Sequence, residues 1–149
     1  MGSYSLRDVA AKIHLPRRTI IDWAEQGVVR PALIETSGSG THRQYDDTNL
    51  LEFLIAKELL ELGVPGRRTK VLLEAIRSKV GGEFWDKVGA IALARQRNGL
   101  FRVVRLSPGG QSSHWRRLGR RPLKMWNGEP PITFVVIDVD AARRRLAQA

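Results

Sequence analysis

The chain has 149 residues and no cysteine, and its 25 lysines and arginines against 15 acidic residues give a formal charge of +10 and a pI near 11.0. The absence of cysteine excludes disulfides, thiolate metal sites and cysteine nucleophiles. With 42% hydrophobic and 27% charged residues, and no apolar run near the roughly 20 residues that span a bilayer, the composition is that of a soluble globular protein, neither membrane-embedded nor exported. The charge favours polyanionic partners without choosing among them. It is uneven: residues 1–98 carry 15 basic and 12 acidic side chains, net +3, and residues 99–149 carry 10 and 3, net +7.

Met1-Gly2-Ser3 carries no apolar signal segment, and the folded chain is expected to begin at Tyr4 or Ser5. Ser5-Leu6-Arg7-Asp8 predicts a capping box that starts a helix at Leu6. Leu6, Val9, Ala10 and Ile13 then fall on one stripe over two turns. His14-Leu15-Pro16 leaves room only for a helix corner, and Pro16 suits the first turn of a second helix running to about Gln26. In that helix Ile20, Trp23 and Ala24 face inward, with Gly27-Val28 as a left-handed cap.

From Val28 to Tyr45 the pattern becomes an extended piece, a Pro31 break, a Ser37-Gly38-Ser39-Gly40 tip and the returning Thr41-His42-Arg43-Gln44-Tyr45, which together predict a β-hairpin wing. Asp46 or Asp47 caps a third helix to about Leu62, whose wide buried face is built on Leu51, Leu54, Ile55, Leu59 and Leu62, with Leu50 and Phe53 beside them. Gly63 stops it. Pro65 opens a fourth helix to about Val80, with Leu72, Leu73, Ile76 and Val80 as its stripe, and Gly81-Gly82 breaks the chain.

Glu83 to Arg97 has helical spacing through Phe84, Val88 and Ile91, ended by Asn98-Gly99. Leu100–Leu106 and Ile132–Val139 read as strands that pair with each other, and residues 107–131 as a long hairpin or a loop. Asp140 is expected to cap a final helix carrying Arg143-Arg144-Arg145. The predicted architecture is mainly α with small β: a winged helix-turn-helix domain over residues 4–80, then a helix with a small sheet and a terminal helix over residues 83–149, serving association or effector binding.

In a winged helix-turn-helix the second helix enters the major groove and its N-terminal residues reach the DNA. Those residues are Arg17, Arg18 and Thr19, and both arginines lie off the stripe that Ile20 and Trp23 commit to the core. In the wing, Thr41, His42 and Arg43 supply donors behind a glycine-rich tip. Trp23 and Tyr45 read as core aromatics, not base-stacking platforms. His14, His42 and His114 lack metal-ligand spacing, so no metal or cofactor is expected. Arg116, Arg117, Arg120 and Arg121, with Trp115 and Trp126 nearby, fit a solvated loop, a second phosphate contact or an acidic-protein surface equally well.

Residues 5 to about 76 resemble the DNA-binding domain of the MerR family of transcriptional regulators. The resemblance is carried by the order and spacing of Tyr4-Ser5-Leu6-Arg7-Asp8-Val9-Ala10, Thr19-Ile20, Trp23, Gln26-Gly27-Val28-Val29, Pro31, Arg43-Gln44-Tyr45-Asp46 and Glu61-Leu62-Gly63-Val64. It implies a cytoplasmic regulator that binds double-stranded DNA as a homodimer, with Arg43 as the wing arginine and RNA polymerase as a further partner. Two half-sites also supply the buried area that one small module lacks. The chain departs from the family at Ile21-Asp22, where an arginine and an aromatic are usual, at Gly66 and Thr69, and at Gly81-Gly82, where a long dimerisation helix usually continues. Asp22 must therefore face a cytosine edge, pair with a basic neighbour, or lie outside the interface.

The same small winged fold serves phage excision factors and plasmid partition or maintenance proteins. A protein-interaction module that has lost DNA binding would accommodate Ile21 and Asp22. An enzyme is not expected, because no nucleophile–base pair, phosphate loop or carboxylate pair stands in a recognisable setting.

Overall fold

A computed structural model of the chain describes residues 2–37, 40–80, 89–95, 101–106 and 134–148. In chain order these form α1 (Leu6–Ile13), α2 (Arg17–Glu25), β1 (Leu33–Ser37), β2 (Gly40–Gln44), α3 (Asp47–Glu61), α4 (Gly66–Val80), β3 (Ala90–Arg95), β4 (Phe101–Leu106), β5 (Phe134–Asp138) and α5 (Val139–Gln148). Two compact units result, residues 1–74 with 142–149 and residues 75–141. Among the described residues no helix is long and apolar enough to cross a membrane.

The first unit is the winged helix-turn-helix. Ser5 and Asp8 form the expected capping box at the start of α1, the Ser5 hydroxyl accepting from the Asp8 N–H and the Asp8 carboxylate accepting from the Ser5 N–H at 2.9 Å. α1 ends at His14, which takes the left-handed conformation with φ 53°, and the chain turns directly into α2. Gly27 (φ 68°) ends the turn after α2 and Gly63 (φ 80°) the turn after α3, both conformations that favour glycine.

α3 is the centre of this unit. Every residue from Asn49 to Ala56 is buried, so the two turns that follow Asp47 and Thr48 are enclosed on all sides and not along one face. Phe53 carries the aromatic core: Trp23 of α2 stacks on it at 6.2 Å and 11° between planes, and Tyr45 meets it edge-on at 5.5 Å. Both act as scaffold, since Trp23 is 7% and Tyr45 1% exposed. The expected burial of Leu62 is not observed. It follows the last helical residue, leaves the α3 stripe there and is 70% exposed. Thr69, a departure from the apolar pattern, is buried with its hydroxyl donating to the Pro65 carbonyl one turn back at 3.3 Å.

β1 and β2 pair antiparallel from Leu33↔Gln44 to Ser37↔Gly40. The tip residues 38 and 39 lie outside the described residues. A backbone bridge between Tyr4 and Tyr45, with N–H···O distances of 2.8 and 3.0 Å, joins the N-terminal segment to the base of this hairpin.

The second unit holds a three-stranded antiparallel sheet in the order β4-β3-β5. Three expectations are corrected here. The helix predicted over 83–97 is a strand across Ala90–Arg95, while residues 83–88 lie outside the described residues. The run Ala90-Ile91-Ala92-Leu93-Ala94 alternates small and large residues, and ladder bonds on both edges outweigh the high helical preference of alanine and leucine. The strands 101–106 and 134–138 therefore flank β3 and do not pair with each other. The terminal helix is capped by Asp138, whose carboxylate accepts from the Ala141 N–H at 2.8 Å, and not by Asp140, which sits inside its first turn. The segment 107–131 lies outside the described residues.

Candidate nucleic-acid interface

The two ends of α2 differ in chemistry. At its N-terminus the cap position is Pro16, which offers no side-chain acceptor, and the first turn holds no acidic residue. Ile20 is the first residue whose N–H bonds back, to the Pro16 carbonyl at 3.3 Å. The N–H groups of Arg17, Arg18 and Thr19 are therefore those that a helix start leaves without an intrahelical acceptor. Arg17 and Arg18 are exposed and Thr19 is half-buried, while Ile20 and Trp23 anchor the opposite face in the core. An uncapped, cationic helix start is suited to anions and base edges.

Asp22 is accounted for by its neighbour. The Arg18 Nε lies 3.0 Å from the Asp22 carboxylate one turn on, so of the three readings of this acidic residue the structure shows pairing with a basic side chain. Arg17 forms no ion pair among the described residues.

The wing arginine reaches the other end of the same helix. Arg43 donates from Nη2 to Glu25 at 3.3 Å, which brings β2 against the last turn of α2. Arg17 thus stands at one end of this nine-residue helix and Arg43, through Glu25, meets the other, residues 17 and 25 being separated by roughly 12 Å of helix rise at 1.5 Å per residue. His42 is exposed on the strand face opposite Arg43, so the structure separates these two wing candidates. Thr41 stands opposite Thr36 in the hairpin register. Arg116, Arg117, Arg120 and Arg121 lie outside the described residues.

Three residues that place this surface carry roles sequence reasoning missed. Asn49 is 5% exposed, and both heteroatoms of its amide are engaged: Oδ1 accepts from Ala32 N–H at 3.0 Å and from Asp46 N–H at 3.3 Å, and Nδ2 donates to the Arg30 carbonyl at 2.8 Å. It pins the linker between α2 and the wing. Lys57 donates to the Ile13 carbonyl at 3.1 Å and Lys70 to the Gln26 carbonyl at 2.9 Å. Each ammonium meets the negative end of one helix of the corner. The spacing Asp46-x-x-Asn49 is a capping-box signal that marks Asn49 as a backbone binder. Nothing local marks the two lysines, whose partners are both 44 residues away.

The N-terminal segment is tied down at the base of the wing. Asp47 accepts from the Tyr4 hydroxyl at 2.8 Å and from the Gly2 N–H at 2.9 Å. These bonds, led by the Gly2 N–H, hold its carboxyl below the ordinary carboxylate value, and the bond to Asp47 holds the Tyr4 phenol above its ordinary value. Among the described residues no group of three or more histidine, aspartate or glutamate side chains is gathered in a way that would hold a metal ion.

Residues 4–76 match the family described as MerR HTH family regulatory protein. No curated protein matches the chain. The matched segment covers the corner, the wing, α3 and most of α4, the elements that carry the uncapped helix start and its arginines. Over residues 4–76 the chain therefore carries a helix-turn-helix domain of the MerR type, the DNA-binding module of a family of transcription regulators.

Proposed function

We propose that this protein regulates transcription by sequence-specific binding to double-stranded DNA as a homodimer in the cytoplasm, each protomer presenting one α2 helix to a half-site. It is a binding protein and not an enzyme, with RNA polymerase as its further partner at the promoter. The observation that supports this reading best is the uncapped N-terminus of α2 with Arg17 and Arg18 exposed, while Arg43 stands at the far end of the same helix. Arg17 is assigned to a phosphate that flanks the groove and Arg18 and Thr19 to its floor, while Arg43, whose 3.3 Å contact with Glu25 is longer than the 3.0 Å contact of Arg18 with Asp22, is assigned to a phosphate that it takes in exchange for Glu25. Thr41 and His42 are assigned to secondary contacts from the wing, and Arg116, Arg117, Arg120 and Arg121 to further phosphate contacts. Two copies are required because one module of this size buries too little DNA surface for tight specific binding.

The test is a salt titration of binding to duplex fragments selected from genomic DNA. Wild-type affinity is expected to fall steeply with salt, and Arg17→Ala or Arg43→Ala to lower both affinity and the salt slope, each lost phosphate contact removing about 0.9 from that slope. Unchanged affinity in both variants would remove the assignment. Sedimentation of the protein on a single site gives the stoichiometry, for which two protomers per site are expected.

A further inference from the structure

We infer that Asp22 is a positioning residue that turns Arg18 into a reader of guanine, a role that rests on the DNA-binding function proposed above. Arg18 and Asp22 stand at i and i+4 on the face of α2 opposite its core residues, and the contact runs from Nε of the guanidinium to one carboxylate oxygen at 3.0 Å. A guanidinium carries five N–H donors in a rigid fork. With Nε occupied by Asp22, the two Nη groups remain as a paired, planar set on a side chain that is 82% exposed. That pair matches the two acceptors, O6 and N7, that guanine presents in the major groove.

Charge separates the two arginines at the helix start. Arg17 has no carboxylate partner among the described residues and keeps a whole positive charge for a phosphate. The Arg18–Asp22 pair is neutral overall, and a carboxylate beside a phosphate would be repelled, so the pair is poorly made for backbone contact. A base edge is a neutral array of donors and acceptors, for which a neutral pair with a directed fork loses nothing. Arg18 is 82% exposed and Asp22 34%, and an ion pair so open to solvent on one side adds little to stability. What such a contact does supply is orientation: it fixes the fork before DNA arrives and so reduces the ordering cost of the contact. This accounts for an acidic residue on the DNA-facing helix.

The test selects bound sequences from a randomised duplex library with the wild type, Arg18→Ala, Asp22→Ala and Asp22→Asn, each first shown by thermal melting to be folded. The wild type is expected to select a guanine at one fixed position in each half-site. Arg18→Ala should lose that preference, with a drop in discrimination of roughly 5- to 150-fold, while preferences elsewhere persist. Asp22→Ala should relax discrimination at the same position and bind random duplex more tightly, having lost a negative charge. Asp22→Asn, whose amide oxygen still accepts from Nε, should retain most of the preference. The inference is overturned if Arg18→Ala weakens all sequences equally, or if Asp22→Ala leaves discrimination at that position unchanged. A wild type that selects no sequence at all would bring down the DNA-binding reading itself, a result distinct from either.

Discussion

The far end of α2 is held by five separate groups, and the near end by almost none. At the C-terminus Gly27 turns the chain, the Val28 N–H bonds to the Trp23 carbonyl at 2.8 Å, Lys70 takes the Gln26 carbonyl, Arg43 meets Glu25, and Asn49 fixes the linker that follows. At the N-terminus Pro16 offers no cap and two arginines project outward. A helix clamped at one end and bare at the other keeps its angle while leaving its donors for a ligand. The contrast places the proposed recognition residues at one end of this helix and the groups that hold it, drawn mostly from outside it, at the other, so substitutions should separate stability from DNA binding.

The strongest way to break that contrast is Asn49→Leu. It removes the partners of the Ala32 N–H and the Arg30 carbonyl in a part-buried linker, at about 1–3 kcal/mol for a buried polar group left unpaired, for a total of about 3 kcal/mol after allowing for partial solvent access. Urea unfolding should show this loss with DNA affinity falling alongside it, and an unchanged midpoint would mean that the clamp is not at this residue. Arg17→Ala tests the bare end from the other side. Affinity should fall about tenfold, in line with a lost charge-assisted contact, while the unfolding midpoint stays where it was. Lys70→Met sharpens the comparison further, because it removes one ammonium from the C-terminal end of α2 and should cost less than about 1 kcal/mol, read as a small shift in melting temperature.

The smallest effect is expected from acid and base at the wing base. Asp47 is held low, so its contribution is complete above the ordinary carboxylate value, about pH 4, and is lost as pH falls through the lower folded value. Tyr4 is held high, so its contribution is complete below about pH 10 and is lost as pH rises through the folded value. The Tyr4–Asp47 bond should thus hold between these limits and open outside both. Because both groups are largely in contact with solvent, the effect is well under 1 kcal/mol. The difference in stability between wild type and Tyr4→Phe, followed across pH, should be a plateau in the middle that closes at each side.

The residues of the corner were legible because their signals are local. The Ser5–Asp8 box, the Gly27 and Gly63 turns and the stripe through Val9 and Ile13 each need only neighbours within a turn, and each stands where its spacing places it. Asp22 was legible as a problem but not as an answer, since its pairing with Arg18 depends on which rotamers the exposed face adopts. Ala90–Arg95 was misread because its alternation suits a strand and its composition a helix, and only partners on two other strands, such as Phe101 opposite Arg95 and Phe134 opposite Ala94, decide between them. Lys57 and Lys70 escaped for a similar reason: a lysine on a helix carries no sign of a carbonyl waiting on another element.

The ion pair between Arg145 and Glu58, 2.6 Å apart and 87 residues distant in the chain, has a consequence for the order of assembly. Residues 142–149 belong with the first unit, so the second is an insertion within it. On the ribosome, the corner, wing and α3 emerge together and can close their core long before Arg145 has been synthesised. Its arrival is the last stitch in a body that was otherwise already shut.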